Sequence, residues 1–431
     1  MPDTSVDRIK LNNEWHARPS VGLPAPCRCS HIVELRAEGS GERDRAELAA
    51  FCAAFGKPQP PADARHHLTE AGSCIVKWER HSEATNHTIF VPGDGQPPFA
   101  ESALDFLAAE KRQVLLERMF VGVHIEVLRR PEDDVDHGFS LARSLLGSDA
   151  VFGGWMSDRH AAVWSAYKLD SHGFIRILII DVGISEERLA RLIQRLLDIE
   201  TYRMLAMRAF PRAREIMEQL GALEPELADV MRELAEEPGE RLQEELLRRI
   251  TSIAARVEHI ASTSGYRFAA ARAYHGIVER RVQEVREEVL HDHQRLTNFM
   301  EKSLVPAMRT CEAAERRTNE LALKVSRAAN LLDTMVDMVQ KKQSQAILQS
   351  MEQRVRLQVR LQQAFEGFSI AAISYYTVGM IAYILKAAKR GGLSVDPEFV
   401  SGLSVPIVIA LCWFAVRAVT KRVTRRSGVP Q

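Results

Sequence analysis

The sequence predicts an α+β N-terminal domain with a mainly antiparallel sheet, a long helical and coiled-coil stalk, and a C-terminal two-helix transmembrane hairpin. Three observations carry this reading. Short runs of alternating apolar and polar residues recur between Ser30 and Asp181 and then stop. Heptad-spaced apolar residues follow over a long stretch rich in charge. Two stretches near the C-terminus, 368–385 and 399–416, are each 18 residues long and carry no charge. The expected domains are therefore 1–183 (α+β), 184–366 (stalk), 367–417 (hairpin) and 418–431 (basic tail).

Within the first domain, 75–80 and 88–91 flank polar residues around Asn86 and read as a hairpin. The run 121–128 (VGVHIEVL) alternates as a half-buried strand does. A second hairpin is expected from 161–169 and 174–181, turning at Asp170, Ser171, His172 and Gly173. Helices are expected over 43–55, 102–110 and 137–146. Runs of strands interleaved with helices in this way predict an α+β domain.

Beyond Val182 the period changes to that of a helix. Ser185 is a good N-cap, with Glu186 and Glu187 complementing the helix dipole. Leu189, Leu192, Ile193, Leu196 and Ile199 then mark one apolar face, and Pro211 is expected to end it. Two shorter helices should follow, broken near Gly221 and Pro238. A long helix is predicted from Arg241 towards Val305, with Gly265 and Pro306 as its points of interruption. After Pro306, Leu321, Val325, Ala328, Leu332, Met335 and Val339 keep the four-three alternation of a coiled-coil seam. Such a seam needs a partner helix, either the preceding helix or another copy of the chain, so a homo-oligomer is expected.

Eighteen residues at 1.5 Å each reach about 27 Å, close to the roughly 30 Å of a hydrocarbon layer. The lipid bilayer is thus the expected partner of both stretches. A buried core helix is the alternative, but tandem spans with basic flanks argue against it. Lys and Arg number five after the second span (Arg417, Lys421, Arg422, Arg425, Arg426) and three on each other flank (Arg354, Arg356, Arg360; Lys386, Lys389, Arg390). The positive-inside rule then places both termini in the cytoplasm. In the first span Ala372, Tyr376, Gly379 and Tyr383 fall four, three and four apart, a small and hydroxylated stripe suited to membrane helix contact.

Charged residues are 26% of the chain and sum to zero net charge, and no basic stripe studded with aromatics occurs, so no nucleic-acid partner is expected. Six cysteines over 431 residues read as reduced thiols in a cytoplasmic compartment. Residues 1–13 hold no apolar run, so no cleaved leader is expected.

Two clusters stand out as candidate chemistry. Glu14, His16 and Arg18 alternate and would share a strand face, a set able to bind an anion or move a proton. The structural alternative is a docking peptide fixed by Pro19. Cys27, Cys29 and His31 also alternate, offering two sulfurs and a nitrogen to a soft metal, although no second Cys pair completes a zinc pattern. FGGW at 152–155 reads as a turn. No phosphate-loop or dinucleotide fingerprint is present, and no cofactor is identified.

The motifs NNEWHARP (12–19), FGGW (152–155), RLIQRLLDIETYRMLAM (191–207), YRFAAARAY (266–274), PAMRTC (306–311), LLDT (331–334) and RLQQAFEGFSIAAISYYTVGMIAY (360–383) stand in one order along nearly the whole chain. On them the chain resembles the bacterial domain-of-unknown-function family 3422, uncharacterised membrane-anchored proteins. That resemblance implies inner-membrane anchoring and no defined activity. The layout also looks like the CorA-type magnesium channels. Their Gly-Met-Asn signature is absent, since Gly379 and Met380 are followed by Ile381. The expectation is a non-enzymatic, oligomeric sensing, binding or scaffold protein. A CorA-like cation channel or transporter, and an enzyme using Glu14, His16 and Arg18, are the alternatives.

Overall fold

Alternating patterns of period two build one sheet here. A computed structural model describes residues 8, 22–36, 40–61, 64–130, 135–236, 240–290, 293–390 and 396–426. The chain divides into two compact units, Met1–Ala329 and Asn330–Gln431.

The first unit holds an eight-stranded sheet of order β2-β3-β4-β1-β5-β8-β7-β6. Its strands are β1 (Cys27–Leu35), β2 (His66–Ala71), β3 (Cys74–Arg80), β4 (Ala84–Pro92), β5 (Met119–Arg129), β6 (Phe152–Met156), β7 (Ala161–Leu169) and β8 (Ile175–Asp181). All neighbours pair antiparallel except β5 and β8, which run parallel in the middle. One parallel pair thus joins two antiparallel halves into a mixed sheet.

The two faces are covered differently. Helix α1 (Ser40–Ala54), the 3-10 turn Ala103–Phe106 and α2 (Ala109–Glu117) cover the first half of one face, where Ile32, Phe51, Val76, Ile89, Leu104 and Leu115 form a core. Helix α3 (Val135–Leu146) covers the other half of that face, over Trp164, Leu178 and Ile180. The opposite face carries α4 (Glu186–Met207), whose Leu189, Leu192, Ile193 and Leu196 are buried.

Helices α5 (Ala209–Ala235), α6 (Glu240–Glu284) and the start of α7 (Leu296–Arg390) continue the first unit as a bundle. Arg317 bridges Glu224 at 2.7 Å and Arg272 bridges Glu315 at 2.9 Å, pinning α7 to α5 and α6. The seam residues Leu321, Val325 and Ala328 are buried, as the heptad pattern requires. The aromatic and basic run at 266–274 docks α6 on the sheet domain, with Arg267 donating to Glu83 at 2.8 Å. The second unit comprises the remainder of α7 and α8 (Pro397–Arg426).

Several expected boundaries move. Asn86 lies inside β4, paired with Glu79, and the turn falls at 81–83. The helix expected over 102–110 is instead a 3-10 turn and then α2, because Asp105 accepts from the Ser102 N–H at 2.7 Å and closes a single turn. Neither Gly221 nor Pro225 breaks α5, and Gly265 does not break α6, since buried Leu220, Leu223, Ile260 and Phe268 hold both helices in place. Pro306 lies within α7 without ending it. The interruption comes earlier, where α6 ends at Glu284 and before α7 starts at Leu296.

That interruption explains FGGW, which is strand β6 rather than a turn. Glu288 and Gln294 pair along its outer edge: Trp155 N–H donates to Glu288 O at 3.1 Å, Glu288 N–H to Trp155 O at 2.8 Å and Gly153 N–H to Gln294 O at 2.9 Å. An exposed strand edge is thereby covered. A Cβ at Gly153 would collide with the Val163 carbonyl, and one at Gly154 with the Glu288 carbonyl; Gly153 also has φ of +148°. The close approach needs glycine at both positions. Gly154→Ala is expected to lower the unfolding free energy of the purified full chain by about 1–3 kcal/mol, read by denaturant titration.

Candidate functional site

Register brings together what the linear sequence separates. Along β1, Arg28 and Ser30 point away from α4; on β5 the same face carries His124 and Glu126, and on β8 it carries Arg176. Ser30 pairs with His124, which pairs with Arg176, while Arg28 pairs with Glu126. One row of polar side chains thus crosses three adjacent strands on one face, and a second spans two of them. Over them lies a cavity of about 620 Å³, walled by the loop and 3-10 turn at 99–105, by Arg112 and Gln113 of α2, and by Asp170 and His172 of the β7–β8 turn.

His124 lies flat against Phe174, with ring centroids 3.9 Å apart and 14° between planes, and its Nδ1 sits 2.8 Å from the Ser30 hydroxyl. Burial pushes its pKa down to about 4, Asp170 opposing and Arg176 adding, so the imidazole is neutral at pH 7. Glu126 accepts from Gly95 N–H at 2.6 Å and Phe99 N–H at 3.2 Å. Burial raises its carboxyl above the ordinary range against the pull of those donors and of Arg28.

Three guanidinium groups reach this cavity, each with a carboxylate. Arg28 donates to Glu101 at 3.0 Å, Arg176 to Asp170 at 3.1 Å, and Arg112 pairs with Asp105. Burial pushes the Asp170 carboxyl up, but the Phe174 and His172 N–H groups and Arg176 outweigh it and hold the carboxyl low. Arg28 is the exception in its pairing. Its Nε is buried without an acceptor, and its one partner, Glu101, is largely exposed. A buried donor left unmet costs about 1–3 kcal/mol, which an anionic oxygen in the cavity would recover. Ser30 is fully buried in the cavity floor, where its hydroxyl orients His124.

Of the candidates drawn from sequence, Glu14, His16 and Arg18 lie outside the described residues. Cys27, Cys29 and His31 do share one strand face, the one turned to α4 and away from the cavity. His31 Nδ1 sits 2.8 Å from the Thr88 hydroxyl and Nε2 3.1 Å from that of Thr201. Burial pushes the Cys27 thiol up to about 12 and Cys29 well above its ordinary value. Among the described residues no group of three or more His, Cys, Asp or Glu is placed to hold a metal. In the second unit Tyr376 and Tyr383 are exposed, whereas the shielded stripe is its neighbour: Ser374 buried, with Val378, Ile381 and Leu385 half-buried.

The cavity residues Arg28, Glu126, Asp170 and Arg176 were not singled out by motif. The signal that marks them is local: His124 and Glu126 stand two apart in the otherwise apolar VGVHIEVL, polar on a single strand face.

The profile of the family described as "Protein of unknown function (DUF3422)" matches residues 4–423. No curated protein matches the chain.

The His31 imidazole has its own consequence. Burial holds its pKa near 3, against 6.5 when free, so unfolding takes up a proton once the pH falls below about 6.5 and stability is lost on acidification. Between pH 7 and pH 4 this group removes roughly 3 kcal/mol. Denaturation curves of wild type and His31→Gln, followed across that range, are expected to converge by about that amount.

Proposed function

We propose, for a chain that belongs to the DUF3422 family, a membrane-anchored, homo-oligomeric binding protein whose sheet domain takes a small anion at Arg28. The family establishes no molecular function to carry over. Anchoring rests on one observation. The two helices long and apolar enough to cross a membrane bury only 6% of their apolar windows within the chain. Phe368, Tyr375, Met380, Phe399, Leu411 and Phe414 are among the side chains left bare. Each large apolar side chain kept from water is worth about 2 kcal/mol, and a bilayer supplies that cover. The Lys and Arg count supports an inner-membrane hairpin with both termini cytoplasmic.

Oligomerisation is supported by α7 between 344 and 365. Ile347, Leu348, Met351, Val355, Leu357 and Phe365 are all more than half exposed. At 100° per residue, with Val359 and Leu361, they span an arc of about 200°, wider than the roughly 100° stripe that one neighbour covers. The stretch is flanked by charge, so lipid does not cover it, and parallel copies of the same helix do. The face bearing Ala372, Tyr376, Gly379 and Tyr383, exposed but for the half-buried Gly379, continues as a subunit contact within the bilayer. If that face instead lines an axial path, the chain is a CorA-like cation channel, and ion flux through liposomes carrying the full chain favours that second reading.

Full chain in membranes should resist salt and alkaline extraction. In those membranes Gln358→Cys, at the centre of the arc, is expected to form oxidative cross-links between copies. Gln353→Cys, on the polar side, should match wild type. Equal cross-linking of the two, or extraction into the aqueous phase, would overturn the anchored oligomer. For the ligand, inorganic phosphate at millimolar concentration is expected to raise the unfolding temperature of the detergent-purified chain by a few degrees, an effect that Arg28→Gln abolishes. An unchanged shift in Arg28→Gln removes the anion site and leaves the anchor standing.

A further inference from the structure

We propose that the sheet domain has a second, separate binding site, an apolar cavity that takes a small apolar carboxylate about the size of a two-ring aryl acid. Helix α2 is the partition. Its Arg112, Gln113 and Leu116 face the polar cavity, while Lys111, Val114 and Leu115 line a different one on its far side. This second cavity, about 280 Å³, lies between α1, α2 and strands β3 and β4, with Leu48, Phe51, Val76, Ile89 and Leu115 in its walls. An apolar cavity of about 150 Å³ holds benzene, so this one accommodates a body roughly twice that size.

The polar groups say what the body carries. Trp78 lines the cavity and is almost wholly buried, yet its indole N–H has no acceptor. Lys111 stands with its ammonium 5.1 Å from the centre of the Phe51 ring and, among the described residues, pairs with no carboxylate. Both groups are donors, the indole neutral, buried and unmet, the ammonium cationic and open to solvent. Two acids line the cavity: Glu47 is already paired with Arg118 at 3.0 Å, and Glu110, the exposed neighbour of Lys111 in the chain, forms no ion pair with it among the described residues. A ligand that satisfies both donors brings an anionic acceptor at one end of an apolar body. An apolar enclosure with a few convergent polar groups is the usual form of a small-molecule site.

The test uses the full chain in lipid nanodiscs, with empty nanodiscs as the blank, and 2-naphthoate and the neutral 2-naphthalenemethanol as probes in calorimetric titrations. Wild type is expected to bind naphthoate below about 1 mM and at least tenfold more tightly than the alcohol. Lys111→Met keeps the stem without the charge; it should lose that preference while still binding the alcohol. Val114→Trp fills the cavity and should abolish both, with the unfolding temperature unchanged or raised. No binding to wild type at millimolar naphthoate would overturn the proposal. So would a preference for naphthoate that survives in Lys111→Met, which is exposed enough to fold normally. Phosphate binding at Arg28 is read on the other side of α2 and stands or falls independently.

Discussion

The parallel pairing of β5 with β8 is the constraint on which the first unit depends. Each antiparallel half would otherwise end in an open edge, β5 on one side and β8 on the other. Joined, they place β1, β5 and β8 side by side, and seven paired positions from Val123–Ile175 to Arg129–Asp181 fix their register. The polar row of Ser30, His124 and Arg176 follows from that register together with the pairing of β1 and β5. Neither half on its own brings Ser30 and His124 beside Arg176. The connection from β5 to β8 needs α3 and the β6–β7 hairpin, and their packing over Trp164, Leu178 and Ile180 holds the parallel pair together from above.

Much of this was legible in the sequence because period two and period 3.6 are local signals. The hairpin over 161–181 turns where Asp170 and Gly173 stand, since Asp170 accepts from the His172 and Phe174 N–H groups. The strand at 121–128 and helices α1, α3 and α4 also fall close to their expected places. What the sequence hid was tertiary. FGGW resembles a turn because paired glycines usually mean one; here Gly153 admits the Val163 carbonyl of β7 and Gly154 the backbone of Glu288. Gly221, Pro225 and Gly265 weaken a helix by propensity, but each lies among buried leucines and isoleucines whose packing outweighs about 1–3 kcal/mol of local cost. The cavity was invisible for a related reason: its residues sit some 150 positions apart, and only strand register makes them neighbours.

The apolar residues obey two different rules in the two units. In the first, apolar positions alternate with polar ones and are nearly all covered by the chain itself, as Leu189, Leu192 and Leu196 of α4 are. In the second, apolar residues occupy every side of the helices and stay bare. A helix that is apolar all round is stable only in a protein interior or in lipid. No such interior is present among the described residues of the second unit, where Ser374, Pro397 and Val408 alone are buried past Leu332.

Register in the sheet is itself specified by where the polar groups of β1 go. On the face towards α4, His31 meets two hydroxyls, from Thr88 of β4 and Thr201 of α4. On the other, Ser30 meets His124 and Arg28 meets Glu101. A slip of one residue exchanges the two sets, because side chains alternate strictly along a strand. It would drive Arg28 into the apolar layer of α4 and strand His31 without either hydroxyl. Each buried polar group left unpaired costs about 1–3 kcal/mol, more when charged, so the slipped sheet is excluded by several such terms at once. A purely apolar β1 would pack almost as well in either register. The polar residues that give the cavity its chemistry are thus also the ones that select the alignment in which the cavity exists.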